Sequence, residues 1–256
     1  MDPQFFNALI SGDLKYVKYF VENNRDCINV KSEKGRTPVY QAVMTNQTGI
    51  IIYLACQGAD LNERGGKGFS PMEQAVLQEH IEVIKCLEAL GVCLEEQDRN
   101  NNDETPMFVA AANGKTESIK CLASLGANVD ARNKNGETPM FKAASVGHIE
   151  AMKCLKEYGA KVNATDDAGM TPMFMAAGKG QIASIECLEA LEKGSVNAST
   201  KGGTTPLFFA AAEGHIECMK TLKKLGAKMD SNIKIADFAA KLGRIDEASW
   251  LRANAT

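Results

Sequence analysis

Apolar side chains recur along this chain at the spacing of short helices. Ile119, Leu122 and Leu125 share one helical face, and Met152, Leu155 and Tyr158 repeat the arrangement one block later. Upstream of such stretches lies a second apolar run, headed by a hydroxyl residue and proline: Thr37-Pro38, Ser70-Pro71, Thr105-Pro106, Thr138-Pro139, Thr171-Pro172 and Thr205-Pro206. A hydroxyl side chain accepts a backbone N–H that the first helical turn leaves unpaired, and proline lacks a donor where none is needed. The pattern therefore predicts a helix beginning at each of these points. Small pairs follow at Ala42-Val43, Ala75-Val76, Ala110-Ala111, Ala143-Ala144, Ala176-Ala177 and Ala210-Ala211, which let a second helix approach closely. Glycine then breaks the first helix at Gly114, Gly147, Gly180 and Gly214, with Asn46 and Glu79 at the equivalent earlier points. The second helix ends at Gly58, Gly91, Gly126, Gly159 or Gly226.

The prolines set a period. Six of the seven, Pro38, Pro71, Pro106, Pro139, Pro172 and Pro206, are separated by 33, 35, 33, 33 and 34 residues. A fixed period of this length is the signature of a stacked array. Each unit reads as two helices, a short extended piece such as Ala127 to Ala131, and a polar turn. The strings GETPMFKAASVGHIEAMKCLKEYGAKVNA, GMTPMFMAAGKGQIASIECLEA and GTTPLFFAAAEGHIECMKTLKKLGAKMD carry these features together, and they resemble the ankyrin repeat over nearly the whole chain. The resemblance implies an all-α ankyrin-repeat solenoid with β-turn fingers, forming a single domain over 1–256. The expected division is an N-terminal cap at 1–33, full repeats at 34–66, 67–99, 100–134, 135–167, 168–201 and 202–231, and a C-terminal cap at 232–256. Both caps read as complete, with Trp250 expected to cover the last core layer. Two loops, Glu95–Asp103 and Leu191–Ser195, are longer than the period requires.

The chain departs from the family pattern two residues after each proline. The family has His there, bonded to the capping Thr; here stand Tyr40, Glu73, Phe108, Phe141, Phe174 and Phe208. The four phenylalanines are expected to form an aromatic ladder in the core. Glu73 must reach solvent or a partner, because an unpaired buried charge is costly.

Composition narrows the function. A hydrophobic fraction of 45% and a charged fraction of 24% suit a globular protein, and a net charge of −3 argues against a nucleic-acid binder acting through bulk charge. No apolar run approaches the ~20 residues that span a bilayer. The N-terminus lacks a basic n-region, so the four N-x-[ST] triplets read as accidental. The expectation is a cytoplasmic or nuclear monomer whose eight cysteines are free thiols. His80, His148 and His215 each lie nine residues after a proline, and Cys86, Cys121, Cys154 and Cys187 each lie fifteen after, so both sets follow the repeat. Neither set is expected to bind metal or catalyse. The loop Gly65-Gly66-Lys67-Gly68 leads into an ordinary Ser-Pro helix start, which argues against a phosphate site. No enzyme motif, cofactor or metal site is expected.

The resemblance places partner binding on the finger tips and the exposed end of each first helix. Around the tips stand Lys31, Lys34, Arg36, Arg64, Lys67, Arg99, Arg132 and Lys134, a row of positive charge, with Phe69, Glu104, Glu137 and Met170 two residues before their prolines. The row fits an acidic or phosphorylated segment of a partner protein, with Phe69 and Met170 as apolar anchors. Charge reversal at the tips is expected to leave stability nearly unaltered. An adaptor or scaffold is the leading reading; a stoichiometric inhibitor or assembly chaperone of one enzyme or subunit is the alternative. The resemblance also implies Asn163, in Lys161-Val162-Asn163-Ala164, as a hydroxylation target in some hosts.

Overall fold

A computed structural model describes residues 3–66, 68–97, 102–228 and 232–254. These residues form paired short helices and no strand. In order they are α1 (Pro3–Ser11), α2 (Leu14–Asn23), α3 (Pro38–Met44), α4 (Thr48–Cys56), α5 (Pro71–Gln78), α6 (Ile81–Ala89), α7 (Pro106–Ala112), α8 (Thr116–Ser124), α9 (Pro139–Val146), α10 (Ile149–Glu157), α11 (Pro172–Gly178), α12 (Ile182–Leu191), α13 (Pro206–Glu213), α14 (Ile216–Lys224), α15 (Asn232–Lys241) and α16 (Ile245–Ala253). Every predicted hydroxyl-proline pair starts a helix, with proline as its first residue.

The chain divides into two compact units. The first holds residues 1–97, 105–110 and 117–127; the second holds 98–104, 111–116 and 128–256. In the first, Phe5, Leu9, Val17, Ile51, Leu54, Met72, Ile84 and Leu87 make the core. In the second, Phe141, Met152, Leu155, Phe174, Ile185, Leu188, Met219 and Leu222 do so.

At four places a repeat is joined to the one before it by the residue that precedes its second helix. The Nδ1 of His80 lies 3.0 Å from the Val43 carbonyl. The Nε2 atoms of His148 and His215 lie 3.1 Å from the carbonyls of Ala112 and Gly178. A carbonyl only accepts, so each ring nitrogen donates. The recipients belong to last-turn carbonyls that a helix leaves without an internal partner. Arg244 takes over in the last repeat, its Nε donating to Ala212 at 3.4 Å. The histidines are thus spent on stacking. Glycine is needed opposite them for two reasons: Gly114 has φ +65°, and a Cβ there would lie 2.9 Å from the His148 ring.

The predicted helix caps are made unevenly. Thr37 accepts from Tyr40 N at 3.1 Å, Ser70 from Glu73 N at 3.2 Å, and Thr205 from Phe208 N at 3.3 Å. Thr138 and Thr171 do not cap. There the amides of Phe141 and Phe174 bond instead to the threonine carbonyls, each at 2.9 Å. The hydroxyls of Thr105, Thr138 and Thr171 are buried without a hydrogen-bond partner. All three precede a helix in which phenylalanine occupies the position of the family's bonding histidine.

Two core expectations are corrected. Among the described residues no ring contact links Phe141, Phe174 and Phe208; Phe174 meets Phe209 edge-on at 5.5 Å, and Phe208 meets Phe238 at 4.8 Å. Helices stack roughly 8–10 Å apart, beyond the ~4.5–7 Å at which rings interact, so equivalent rings do not touch. In α16 the core-facing residues are Ala248 and Leu251, one helical turn apart. Trp250 points elsewhere and is half-buried, with the Lys223 ammonium 5.9 Å from its ring.

Candidate partner-binding surface

The fingers share one backbone design. Ser32 N donates to Arg36 O at 2.8 Å, Gly65 N to Phe69 O at 3.0 Å, Asn133 N to Glu137 O at 3.0 Å, Asp166 N to Met170 O at 2.9 Å, and Thr200 N to Thr204 O at 3.0 Å. In four of the five, the first residue's side chain also accepts from the last residue's amide: Ser32 from Arg36, Asn133 from Glu137, Asp166 from Met170, Thr200 from Thr204. This Asx-type closure fixes each tip without using its outward side chains.

Gly65 is the exception, and Tyr40 is the reason. A Cβ at Gly65 would lie 2.5 Å from the Tyr40 ring, which fills the space a capping side chain would need. The Tyr40 hydroxyl donates to Gln74 Oε1 at 2.8 Å. A Cβ at Gly66 would collide with the Lys34 carbonyl of the preceding finger. Of the glycines that look like a phosphate loop, Gly65 and Gly66 are therefore explained by close packing, and Gly68 by its φ of +84°.

The structure rearranges the predicted row of charge. Lys67 and Arg99 lie outside the described residues, as do residues 98–101 of the first long loop. Lys31 pairs with Glu63 at 2.5 Å. Arg64 pairs with Glu73 at 2.8 Å, where the glutamate side chain is only 2% exposed. The Glu73 carboxylate also accepts from Ser70 N at 2.7 Å. Arg64 is thus the partner that buried Glu73 required, and it has a structural duty at the tip. Arg132 pairs with Asp167 at 3.0 Å and donates to the Thr165 carbonyl at 2.9 Å. Lys134 lies 3.4 Å from Asp103. Lys34 and Arg36 take part in no ion pair among the described residues; Arg36 donates to Gln41 Oε1 at 3.3 Å.

The four non-basic candidates are less available than their positions suggest. Glu104 is 5% exposed and pairs with Lys142 at 2.8 Å. Glu137 accepts from the Asn133 side chain at 2.8 Å. Phe69 and Met170 are both half-buried. Asn163 accepts from the Ser195 hydroxyl at 2.9 Å, so its side chain helps hold the second long loop.

One groove in the first unit gathers the two unpaired cations with apolar side chains. It encloses about 340 Å³ between α1 and the first finger, lined by Phe6, Ile10, Glu33, Lys34, Arg36 and Gln41 among others. Phe6 and Ile10 are absent from the sequence-based set. Phe5, Ala8 and Leu9 form the buried face of α1, which leaves Phe6 and Ile10, four residues apart, on another face; without a Thr-Pro start the sequence does not say which face turns inward.

No three His, Cys, Asp or Glu side chains among the described residues converge on a possible metal site. All eight cysteines are free, and burial raises the thiols of Cys86, Cys121 and Cys187 above their ordinary range. Cys218 is pushed up to about 11 by burial, with Glu217 adding to the effect. No described helix is long and apolar enough to cross a membrane.

Comparison with known proteins agrees with the geometry. The model of the family described as ankyrin repeats (3 copies) matches residues 5–98, 72–166 and 162–233. Alpha-latrocrustotoxin-Lt1a from Latrodectus tredecimguttatus is 29% identical over 119 residues, covering 46% of this chain and 8% of the toxin. Ankyrin repeat and SAM domain-containing protein 6 from Rattus norvegicus is 27% identical over 129 residues, covering 50% of this chain and 15% of that protein. The chain therefore matches only a small part of these relatives. In three dimensions it is similar to the ankyrin repeat domain of Bcl-3, a member of the IkappaB protein family, with a TM-score of 0.71 and 21% identity over 87% of this chain and 98% of that one. That likeness is one of fold. With the family model spanning most of its length, the chain belongs to the ankyrin-repeat family, whose repeats are protein–protein interaction modules.

Proposed function

We propose that this chain is a non-enzymatic adaptor that receives a partner protein on its fingers and the exposed ends of its first helices. One observation carries the reading. Each described finger closes through its own backbone and, in four of five cases, through its first side chain, so the tips hold their shape by hydrogen bonds that draw on few of their outward side chains. Rigid presentation lowers the ordering entropy that association must overcome. The cations at the tips favour an acidic or phosphorylated segment, and the free thiols suit a monomer working in the reducing cytoplasm or nucleus.

The test is affinity purification with the folded chain as bait, followed by mass spectrometry. Several partners captured together support a scaffold. One stoichiometric enzyme or subunit supports the inhibitor or assembly-chaperone alternative. Recovery of no protein by the chain, under conditions where it is folded, would overturn both.

A further inference from the structure

We infer that the groove between α1 and the first finger is a docking site for a short partner segment that joins an aliphatic or aromatic anchor to carboxylates. The inference rests on the protein-binding reading above and assigns it a place and a ligand chemistry. Two observations, independent of each other, meet there.

The first is apolar. In α1 the side chains of Phe5, Ala8 and Leu9 fill the core at one helical spacing. Phe6 and Ile10 lie outside that face; Phe6 is half-buried and Ile10 is 50% exposed. Both line the groove, so its wall on the α1 side offers apolar area that a partner side chain would remove from water. A volume of about 340 Å³ lies at the lower end of the ~300–1,000 Å³ typical of binding clefts, suited to a small number of side chains.

The second is electrostatic. Lys31, Arg64, Arg132 and Lys134 already face carboxylates of this chain. Lys34 and Arg36 do not, and both line the groove. Glu33 stands at the same groove, so the three charges sum to a single positive one. Arg36 is half-buried and oriented by Gln41, a setting in which a charge-assisted bond to an incoming carboxylate is stronger than on an open surface. Lys34 is exposed, and its carbonyl is braced against Gly66. A cationic edge beside an apolar wall selects a segment with the complementary pair of features.

The experiment is selection of short random peptides displayed on phage against the intact chain, followed by affinity measurement with the selected synthetic peptides. The expected result is enrichment of sequences that place Leu, Ile, Phe or Met close to Asp or Glu. Binding should weaken by about tenfold or more in the pair Lys34→Glu/Arg36→Glu, as expected when attraction becomes repulsion. It should weaken similarly in Ile10→Arg, and stay unchanged in Lys85→Glu, an exposed position on α6 that does not line the groove. Lys34→Ser, at an exposed position, guards against misfolding of the pair and should give a smaller loss. Selected peptides without acidic residues, or binding indifferent to both the charge and the Ile10 substitutions, would overturn the site. So would light scattering showing a dimer that Ile10→Arg dissociates, since the groove's occupant would then be a second copy. Failure to select any peptide, with proteins still captured by the same bait, would overturn the groove while leaving the protein-binding reading standing.

Discussion

The ring of Tyr40 occupies the place where a side chain at position 65 would begin: a Cβ on Gly65 would sit 2.5 Å from Tyr40 Cζ. Both residues lie in the 34–66 repeat, Tyr40 in its first helix and Gly65 in the finger that closes it, so a substitution for the family's histidine is matched by a glycine in the finger that follows. We expect Gly65→Ala to cost about 1–3 kcal/mol through overpacking. In a Tyr40→Ala background the same change should cost much less, and a double-mutant cycle from urea unfolding would measure the coupling.

The caps separate threonines that work from threonines that do not. Thr37→Val removes a hydrogen bond to Tyr40 N and should lose about 1 kcal/mol. Thr138→Val and Thr171→Val remove buried hydroxyls that have no partner, so they should be neutral or stabilising. Equal losses at all three sites, read from denaturation midpoints, would contradict this.

Arg64 and Arg132 occupy the same position in their fingers but answer to different partners. Reversing Arg64 to Glu leaves the Glu73 carboxylate, 2% exposed, facing another negative charge; we expect a loss of about 2 kcal/mol, less than a fully buried pair would give because Arg64 itself is partly in solvent. Arg132→Glu breaks a pair exposed on both sides and should stay within about 0.5 kcal/mol. Thermal unfolding of the two variants tests the contrast. The expectation that every tip tolerates reversal is therefore kept for Arg132 and replaced for Arg64.

Alkylation should divide the thiols by position. Cys56 and Cys93 are exposed and should label in the native protein, whereas Cys121, Cys154, Cys187 and Cys218 are buried and should label after unfolding. Site-resolved mass spectrometry after a brief iodoacetamide pulse gives the order. Early labelling of Cys218, whose thiol is pushed up to about 11, would count against the packing described here.

Stability should also fall at alkaline pH. Burial raises the thiols of Cys86, Cys121, Cys187 and Cys218 and the phenol of Tyr40 in the folded chain. These groups hold their protons when folded and release them sooner when unfolded, so the unfolded state gains as pH rises. For Cys218 the loss begins near the ordinary value of 9.0 and is complete above about 11. A melting temperature constant from pH 8 to 10.5 would refute it.

The repeat period, the helix starts and the lattice position of the histidines were legible in the sequence because each recurs at a fixed spacing; the bonds those histidines make to carbonyls of the preceding repeat were not. The binding surface was less so. Seven residues before a proline, Lys31, Arg64 and Arg132 look alike, yet each finds a different carboxylate: Glu63, Glu73 and Asp167. Pairing between neighbouring loops depends on side-chain reach, which a one-dimensional register does not carry. Phe6 and Ile10 were hidden for a related reason: in a capping helix without a Thr-Pro start, the outward face is defined only after the inward one is known.

The contact of Gly66 with the Lys34 carbonyl couples the motions of two neighbouring loops. Pressing one against the other meets backbone at once, so in that direction two soft levers act as one stiff one. A ligand that had to press this edge together would lose affinity to the deformation, so the surface favours ligands whose contours already match it at rest.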